Sequence, residues 1–279
     1  MAGPFIGSEA IAAGALTKAQ LTTCHTRLFR DVYLVKDIDI TAIDRAKAAW
    51  LWSRRRGVVA GFSAAALHGS EWVDAALPAE LIHDNRHRLP GLHVRSDRLR
   101  PDEIQIVGSV PVTTPARTAV DLACWHPTIP AVAGIDALAR AAEIKDIDVQ
   151  TILQRSNGRR GIARAKASLE LVDAGAESPK ESWLRVILIQ AGLPRPQTQI
   201  LVHDDFGDVF ARLDMGWPKV KVAAEYDGEQ HRKDRIRYNW DVKRQEKLHR
   251  RGWIVIRVLA GDREPDIIRR VRTALAQRA

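Results

Sequence analysis

The segment from residue 220 to residue 231 constrains the fold of this chain more than any other stretch. It reads V-K-V-A-A-E-Y-D-G-E-Q-H, and its apolar and polar side chains alternate as far as Gly228, which predicts a strand. Successive side chains of a strand point to opposite faces, so Lys221, Glu225 and Asp227 are expected to share one face. Two carboxylates on one face at a strand end repel each other, so this arrangement predicts a cation nearby.

A second run of alternating side chains, from Val209 to Asp214, precedes this segment and is separated from it by the sequence M-G-W-P-K. The turn residues favour a hairpin, which would bring Asp214 beside Glu225 and Asp227. Three carboxylates that meet at the end of a sheet suit a hard divalent cation, so we expect Mg²⁺ or Mn²⁺ there. An exposed acidic hairpin end without a metal is the alternative.

The composition is that of a soluble globular protein with a basic surface. The chain has 279 residues, of which 46% are hydrophobic and 28% charged, and its length suits about two or three domains. The net charge of +9 favours a polyanionic partner, first of all DNA. Cys24 and Cys124 are the only cysteines, so neither a disulfide framework nor a structural zinc site is expected.

The sequence contains no pattern typical of a membrane span or a secretory signal. No apolar run approaches the roughly 20 residues that a transmembrane helix needs. The N-terminus lacks the basic region and the apolar core of a signal peptide. We therefore expect a cytoplasmic protein without a membrane partner.

Residues 1–56 are expected to form a small winged-helix-like unit. Short helices near residues 8–13 and after Thr17, which begins a capping-box pattern T-x-x-Q, precede a strand at 32–35. A longer helix follows from Thr41 and runs into the three arginines at 54–56. These arginines either complement the helix dipole or contact phosphate. The alternative for the whole unit is a helical cap on the next domain.

Residues 57–172 are expected to form a middle domain that begins as α+β and ends as helices. Short strands with Pro and Gly turns come first, followed by a helix with Thr114 as N-cap and Pro115 at its first position. The histidines of this region lack metal-ligand spacing. The basic, glycine-interrupted loop at 155–166 either contacts phosphate or is an ordinary helix junction.

Residues 177–279 are expected to form the last domain, which begins after a linker and opens with a helix. Strands near 199–202, 209–214 and 220–227 follow, then a strongly basic helix, an apolar strand at 253–258 and a final helix. Because the 253–258 strand is nearly all apolar, we expect an inner strand covered on both faces. A strand, a helix and a strand of this kind form a right-handed parallel crossover.

These features occur in one order along residues 178–260. An acid at a helix start is followed by D-x(10)-E-x-D-G-x-x-H from Asp214 to His231, then by the basic helix and the strand G-W-I-V-I-R-V. This pattern resembles the PD-(D/E)XK nuclease superfamily, and within it the very-short-patch-repair endonuclease-like branch. The resemblance implies a restriction-endonuclease-like mixed sheet flanked by helices, and metal-dependent hydrolysis of phosphodiester bonds.

The resemblance assigns Asp214 and Glu225 to the metal, which would be Mg²⁺ or Mn²⁺. Asp227 stands where the superfamily usually has lysine, and we expect it to belong to the same catalytic and metal-binding group. The usual lysine orients the attacking water and offsets developing negative charge. The cations that could replace it are Lys221, His231 and Arg244.

Further residues complete the implied site. Glu181 matches the helix acid of the family; its alternatives are a capping box with Ser178 and an ion pair with Arg185. His231 would act as the acid for the leaving oxygen, or would only brace Asp241. The basic residues expected to contact DNA lie beside the strand and on the basic helix: Lys221, Arg232, Lys233, Arg235, Arg237, Lys243 and Arg244.

The upstream chain resembles a different family. The segments G-V-V-A-G-F-S-A-A-A-L-H-G at 57–69 and V-T-T-P-A-R-T-A-V-D-L-A at 112–123 are similar to AbiEi-type antitoxins of abortive-infection systems. That resemblance spans about residues 8–125. It implies an N-terminal winged helix that binds operator DNA and a larger domain that opposes a nucleotidyltransferase toxin.

Three functions are compatible with the sequence. The main interpretation is a metal-dependent DNA endonuclease or nickase of DNA repair or phage defence. The alternative is a DNA-binding antitoxin or transcriptional regulator of the AbiEi type, in which the nuclease-like domain is inactive. A third interpretation is a protein–protein module in phage defence.

Overall fold

A computed structural model of the chain describes residues 3–84, 89–228 and 235–278, and between 235 and 241 it describes the backbone alone. The chain divides into two compact units, residues 1–172 and 173–279. The described residues form helices and three sheets with parallel and antiparallel neighbours, which confirms the predicted α/β class. None of the described helices is long and apolar enough to cross a membrane.

The N-terminal unit begins with a three-stranded antiparallel sheet and two short helices. Its elements are β1 (Phe5–Ile6), α1 (Gly7–Ala12), α2 (Lys18–Cys24), β2 (His25–Phe29) and β3 (Val32–Val35). The strand order in the sheet is β1-β3-β2. Along the chain, the two helices lie between the first strand and the β2–β3 hairpin. The predicted capping box at Thr17 is confirmed, since its hydroxyl accepts the Gln20 N–H and Gln20 reaches back to the Thr17 N–H.

A helix and a five-stranded mixed sheet follow. The elements are α3 (Ala42–Trp52), β4 (Val58–Val59), α4 (Gly61–Leu67), β5 (Ala79–Ile82), β6 (Leu92–Arg95), β7 (Ile104–Val107) and β8 (Val110–Thr113). The strand order is β6-β5-β4-β8-β7. Buried residues of both sheets, among them Val32, Val59 and Leu81, belong to one hydrophobic cluster with α3. Whether residues 1–56 are a separate domain stays a prediction.

Four helices complete the N-terminal unit: α5 (Pro115–Trp125), α6 (Thr128–Ala141), α7 (Asp146–Arg155) and α8 (Ile162–Leu169). Nine of the eleven residues of α5 are buried, because the other three helices and α4 pack around it. The predicted start of α5 is confirmed, with Thr114 accepting the Arg117 N–H and Pro115 at the first helical position.

The C-terminal unit is a four-stranded sheet with helices. Its elements are α9 (Pro179–Gln190), β9 (Gln197–His203), β10 (Val209–Trp217), β11 (Val222–Asp227), α10 (Arg235–Arg250), β12 (Ile254–Leu259) and α11 (Glu264–Ala276). The strand order is β12-β11-β10-β9. The parallel pairing of β11 with β12 agrees with the predicted crossover. The prediction that residues 253–258 form an inner strand is wrong, since β12 lies at the edge of the described sheet.

The hairpin between β10 and β11 differs from the predicted one at its turn. Strand β10 continues to Trp217, a 3₁₀ turn spans Pro218–Val220, and Lys221 has a left-handed φ of 52°. Lys221 therefore precedes β11 and is not on the strand face of Glu225, because the turn residue must reverse the chain direction. Its Nζ donates to the Arg251 carbonyl at 3.0 Å.

Candidate functional site

Asp214 lies at the point where strands β10 and β11 stop pairing through their backbones. Their last paired residues toward this end are Met215 and Ala224. One Asp214 carboxylate oxygen, Oδ2, then accepts the Tyr226 N–H at 2.9 Å. The Asp214 side chain thus takes the place of a backbone carbonyl as the hydrogen-bond acceptor for the Tyr226 N–H.

The environment of Asp214 raises the pKa of its carboxyl to about 7. Burial is the main cause, because it disfavours the charged form, and the nearby carboxylates of Glu181 and Glu225 add to it. The Tyr226 N–H and the Arg244 guanidinium act in the opposite direction. Three predicted site residues, from α9, β10 and β11, are therefore close enough to interact electrostatically.

Ser178 caps α9 as in one predicted alternative for Glu181, but the Glu181 carboxylate accepts from the Ser178 hydroxyl and the Glu177 N–H in place of the Ser178 N–H of a capping box. Glu181 Oε1 accepts the Ser178 hydroxyl at 2.8 Å, and its own N–H donates to that hydroxyl at 3.2 Å. Its Oε2 accepts the Glu177 N–H at 2.8 Å and the Gln199 side-chain amide at 3.2 Å. These bonds account for the orientation of Glu181 at the start of α9 without any ligand.

Glu225 forms an ion pair with Arg244 of α10. Arg244 donates through Nη1 to Glu225 Oε2 at 3.2 Å and through Nη2 to Glu225 Oε1, and Nη2 also donates to the Arg212 carbonyl at 3.1 Å. The side chain of Glu225 is only 12% exposed and that of Arg244 is 23% exposed. Arg244 thus lies beside this carboxylate, and of the two proposed lysine substitutes that the structure describes, Lys221 and Arg244, it is Arg244 that contacts the site.

Asp227, which stands in the position of the usual lysine, has a cation of its own. Arg257 of β12 donates to Asp227 Oδ2 at 2.7 Å. Arg257 pairs with Glu225 in the parallel register of β11 and β12, so its side chain extends along the strands to the next acid on that strand face. The repulsion between the two strand carboxylates is therefore offset by two arginines.

The described donor set does not fit a divalent metal. The carboxylates of Glu225 and Asp227 are held by guanidinium groups, and that of Glu181 by helix-capping hydrogen bonds. Among residues 3–84, 89–228 and 235–278, no group of three acidic, histidine or cysteine side chains is arranged to hold a metal ion. Mg²⁺ or Mn²⁺ binding stays a prediction. His231 lies outside the described residues.

Four of the seven residues predicted to contact DNA lie where no side chain is described. Arg232 and Lys233 lie outside the described residues, and Arg235 and Arg237 belong to α10, where the backbone alone is described. Lys243 is exposed on α10. The DNA contacts of this helix stay a prediction.

A buried ionic network in the N-terminal unit was not predicted from the sequence. Arg117 of α5 donates through Nε to Asp121 at 2.8 Å, and through Nη1 to Glu103. Arg159 donates to Asp121 at 2.6 Å and is 2.8 Å from Asp97. The side chains of Arg117, Glu103 and Asp121 are 4%, 6% and 0% exposed. The spacing of Arg117 and Asp121, four apart on one helix, was the available signal.

Burial raises the pKa of the Asp121 carboxyl, and the positive charges of Arg117 and Arg159 oppose that shift. Arg159 also lies over the Trp125 ring, 5.5 Å from its centroid, and Arg95 lies 4.8 Å from the same centroid. The network therefore joins α5, the loop before α8 and the edge of the five-stranded sheet.

The two basic stretches at 54–56 and 155–166, for which phosphate contact was one interpretation, form contacts within the chain. In the 155–166 loop, Arg155 pairs with Asp102 at 2.6 Å, and Arg164 donates to the Cys124 carbonyl. Of the three arginines at 54–56, Arg54 pairs with Asp31 at 2.9 Å and Arg55 with Glu9 at 2.6 Å. These contacts favour an ordinary helix junction at 155–166. The arginines at 54–56 follow the end of α3 at Trp52, whose last turn holds no basic residue, so they form ion pairs and do not complement the helix dipole as predicted.

Comparisons with known proteins find one family model that matches part of the N-terminal unit. Residues 58–171, from β4 to the end of the helical layer, match the family model described as the AbiEi antitoxin C-terminal domain. Two uncharacterized proteins of Mycobacterium tuberculosis, from strains CDC 1551 / Oshkosh and H37Rv, are each 28% identical over 241 residues. The alignment covers 86% of this chain and 88% of each relative. No solved structure matches the chain.

The AbiEi-like region contains the whole network around Arg117. The motif T-T-P-A-R-T-A-V-D-L-A, which carries part of the antitoxin resemblance, supplies the Thr114 cap and the Arg117–Asp121 pair. Arg117 and Asp121 are buried, so this part of the motif specifies how α5 is held against the sheet. These matches support the antitoxin resemblance and do not extend to the nuclease resemblance.

Proposed function

We propose that this chain is a DNA-binding antitoxin or transcriptional regulator of the AbiEi type. The match of residues 58–171 to the AbiEi antitoxin C-terminal domain carries the proposal. From that family resemblance we infer that the chain opposes a nucleotidyltransferase toxin and binds its own operator DNA. The nuclease-like C-terminal unit is inactive in this proposal, which agrees with arginines that hold Glu225 and Asp227.

The elements before residue 58 support the DNA-binding part. Helices α1 and α2 are joined by a short turn in which Gly14 has a φ of 69°, and a hairpin follows, as in a helix-turn-helix with a wing. In such a motif the second helix enters the major groove. Helix α2 buries only Leu21, so its polar residues, with Arg27 and Arg30 of the hairpin, form the exposed surface.

Operator binding is tested with the full-length protein and a labelled duplex that covers its own promoter. We expect Lys18→Glu combined with Arg27→Glu to weaken binding at least tenfold, because two phosphate-facing cations become anions. Arg269→Glu, an exposed charge reversal on α11, is the matched control and should bind like wild type. Equal affinities for all three proteins would remove the DNA-contact surface from the proposal.

The antitoxin part is tested by co-expression of the chain with a nucleotidyltransferase toxin from its own organism, sought first in the neighbouring genes. We expect growth to be restored by the full chain and to stay restored when Asp214 is changed to Ala, since no catalytic step by this chain is needed. Loss of neutralisation in the Asp214→Ala protein, with normal folding, would contradict this function.

A second candidate function is the endonuclease. One observation favours it: a partly buried carboxyl, Asp214, with Glu181 and Glu225 beside it. The test is plasmid nicking with Mg²⁺ or Mn²⁺ by wild type, Asp214→Ala and Glu225→Ala, with the exposed Asp208→Ala as control. Nicking that is lost only in the two site variants would establish the enzyme. Equal nicking by all proteins would reject the site, and none by wild type would favour the regulator.

A further inference from the structure

The C-terminal unit has an apolar groove away from the carboxylates of β11. Its volume is about 510 Å³, and it lies between the segment after α9, the turn that follows β10, and the end of α11. The apolar lining includes the side chains of Leu193, Pro194, Trp217, Val220 and Leu275. Grooves of this size and lining bury an apolar group of a ligand.

The floor of the groove is preformed. Trp217 is 9% exposed, and its indole N–H donates to the Pro194 carbonyl at 2.9 Å. Beside it, strands β10 and β11 approach so closely that a Cβ on Gly216 would lie 2.4 Å from the Val222 carbonyl oxygen. Because backbone and indole are both held, a ligand would meet a surface that needs little reorganisation.

The rim of the groove is cationic. Three basic side chains from different segments line it, Arg195, Lys219 and Arg272, and all three are exposed. Arg272 is positioned by a hydrogen bond from its Nη2 to the Ala191 carbonyl at 3.1 Å. No acidic side chain is among the described residues that line the groove. An apolar floor inside a ring of cations complements an apolar group flanked by anions.

We propose that this groove binds an acidic linear peptide segment of a partner protein, with one large apolar side chain seated between Pro194, Val220 and Leu275. Single-stranded nucleic acid fits less well, because it needs an exposed aromatic face for base stacking, and the Trp217 ring is buried. The groove lies outside the AbiEi-like region, so this site does not depend on the antitoxin function.

The test uses full-length protein and fluorescein-labelled peptides D-E-D-x-E-D-E in which x is Trp, Leu or Phe. Matched probes replace x by Ser or every acid by Lys. We expect micromolar binding of at least one acidic apolar peptide, and at least tenfold weaker binding of both matched probes. Failure of every acidic apolar peptide to exceed its Lys counterpart would overturn the proposal.

Three variants assign the binding to the groove. Lys219→Glu and Arg272→Glu reverse rim charges on separate elements, and Ala276→Trp fills the groove from α11. Each should weaken peptide binding at least tenfold, whereas Arg269→Glu on the same helix should not. Unchanged binding in folded Lys219→Glu and Ala276→Trp proteins would overturn the site. Displacement of the peptide by oligo(dT) at equal concentration would instead assign the groove to nucleic acid.

Discussion

At the scale of single residues, the raised pKa of Asp214 makes the stability of the folded protein depend on pH. Its pKa of about 7 in the folded chain lies above its usual value of 3.8. The folded state therefore keeps a proton that the unfolded state releases near pH 4. Stability is lost as the pH rises from about 4 to about 7, because the buried carboxyl must then ionise in a site with two other carboxylates.

The change Asp214→Asn is expected to stabilise the protein at pH 8 and to have little effect at pH 4. The amide cannot ionise, its oxygen still accepts the Tyr226 N–H, and the gain is limited to about 4 kcal/mol, at 1.36 kcal/mol for each pH unit. Thermal unfolding at both pH values in EDTA measures it, with the exposed Asp208→Asn as control. A shift in Tm that is the same at pH 4 and pH 8 would contradict the raised pKa.

The Arg117 network gives the second prediction at this scale. Arg117→Met should lower the free energy of unfolding by about 3–5 kcal/mol, because it leaves the carboxylates of Glu103 and Asp121 buried without that cation. Arg155→Met, which breaks an exposed pair with Asp102, should cost less than about 1 kcal/mol. Differential scanning calorimetry of both variants measures the two losses in the free energy of unfolding. Similar losses would contradict the prediction that the buried ion pairs of Arg117 contribute more stability than the exposed pair of Arg155.

At the scale of elements, strand β12 is apolar like an inner strand although it lies at the edge of the described sheet. Its run I-V-I-R-V-L predicts coverage on both faces, and both α10 and α11 do pack against it. The strand is nonetheless at the edge of the described sheet. The hydrophobicity of the side chains indicates whether the two faces of a strand are covered. Whether the strand lies at the edge or in the centre of the sheet depends on backbone hydrogen bonds, which almost every residue type can form.

The β10–β11 hairpin carries the prediction at this scale. Gly216→Ala should destabilise the protein by about 1–3 kcal/mol, since the added Cβ would lie 2.4 Å from the Val222 carbonyl oxygen and the strands must separate. Gly228→Ala is the control, because nothing lies within 4 Å of its added Cβ. Urea unfolding midpoints compare the two; equal midpoints would refute the close approach of the strands.

At the scale of the whole molecule, the net charge of +9 has to be weighed against the ion pairs of the arginines. Many cations that the sequence offers for phosphate, such as Arg54, Arg55, Arg155 and Arg159, pair with acids in the N-terminal unit. The cations available for DNA are therefore fewer than the composition implies.

The salt dependence of promoter binding measures how many cations contact DNA. The logarithm of the affinity should fall linearly with the logarithm of salt concentration, with a slope of about −0.9 for each phosphate contacted. We expect Lys18→Glu combined with Arg27→Glu to reduce that slope by about two contacts, and Arg155→Met to leave it unchanged. A reduced slope for Arg155→Met would place the 155–166 loop on DNA.

The sequence by itself determined the α/β class, the parallel crossover and the helix starts at Thr17, Thr114 and Ser178. Each start depends on groups within about four residues of one another, and such local geometry is encoded by residue type. Only the tertiary structure decided which cation lies beside which carboxylate. Arg244 reaches Glu225, Arg257 reaches Asp227 and Arg159 reaches Asp121 across separations of 19, 30 and 38 residues. Those distances are set by how helices and strands pack, which residue types alone do not specify.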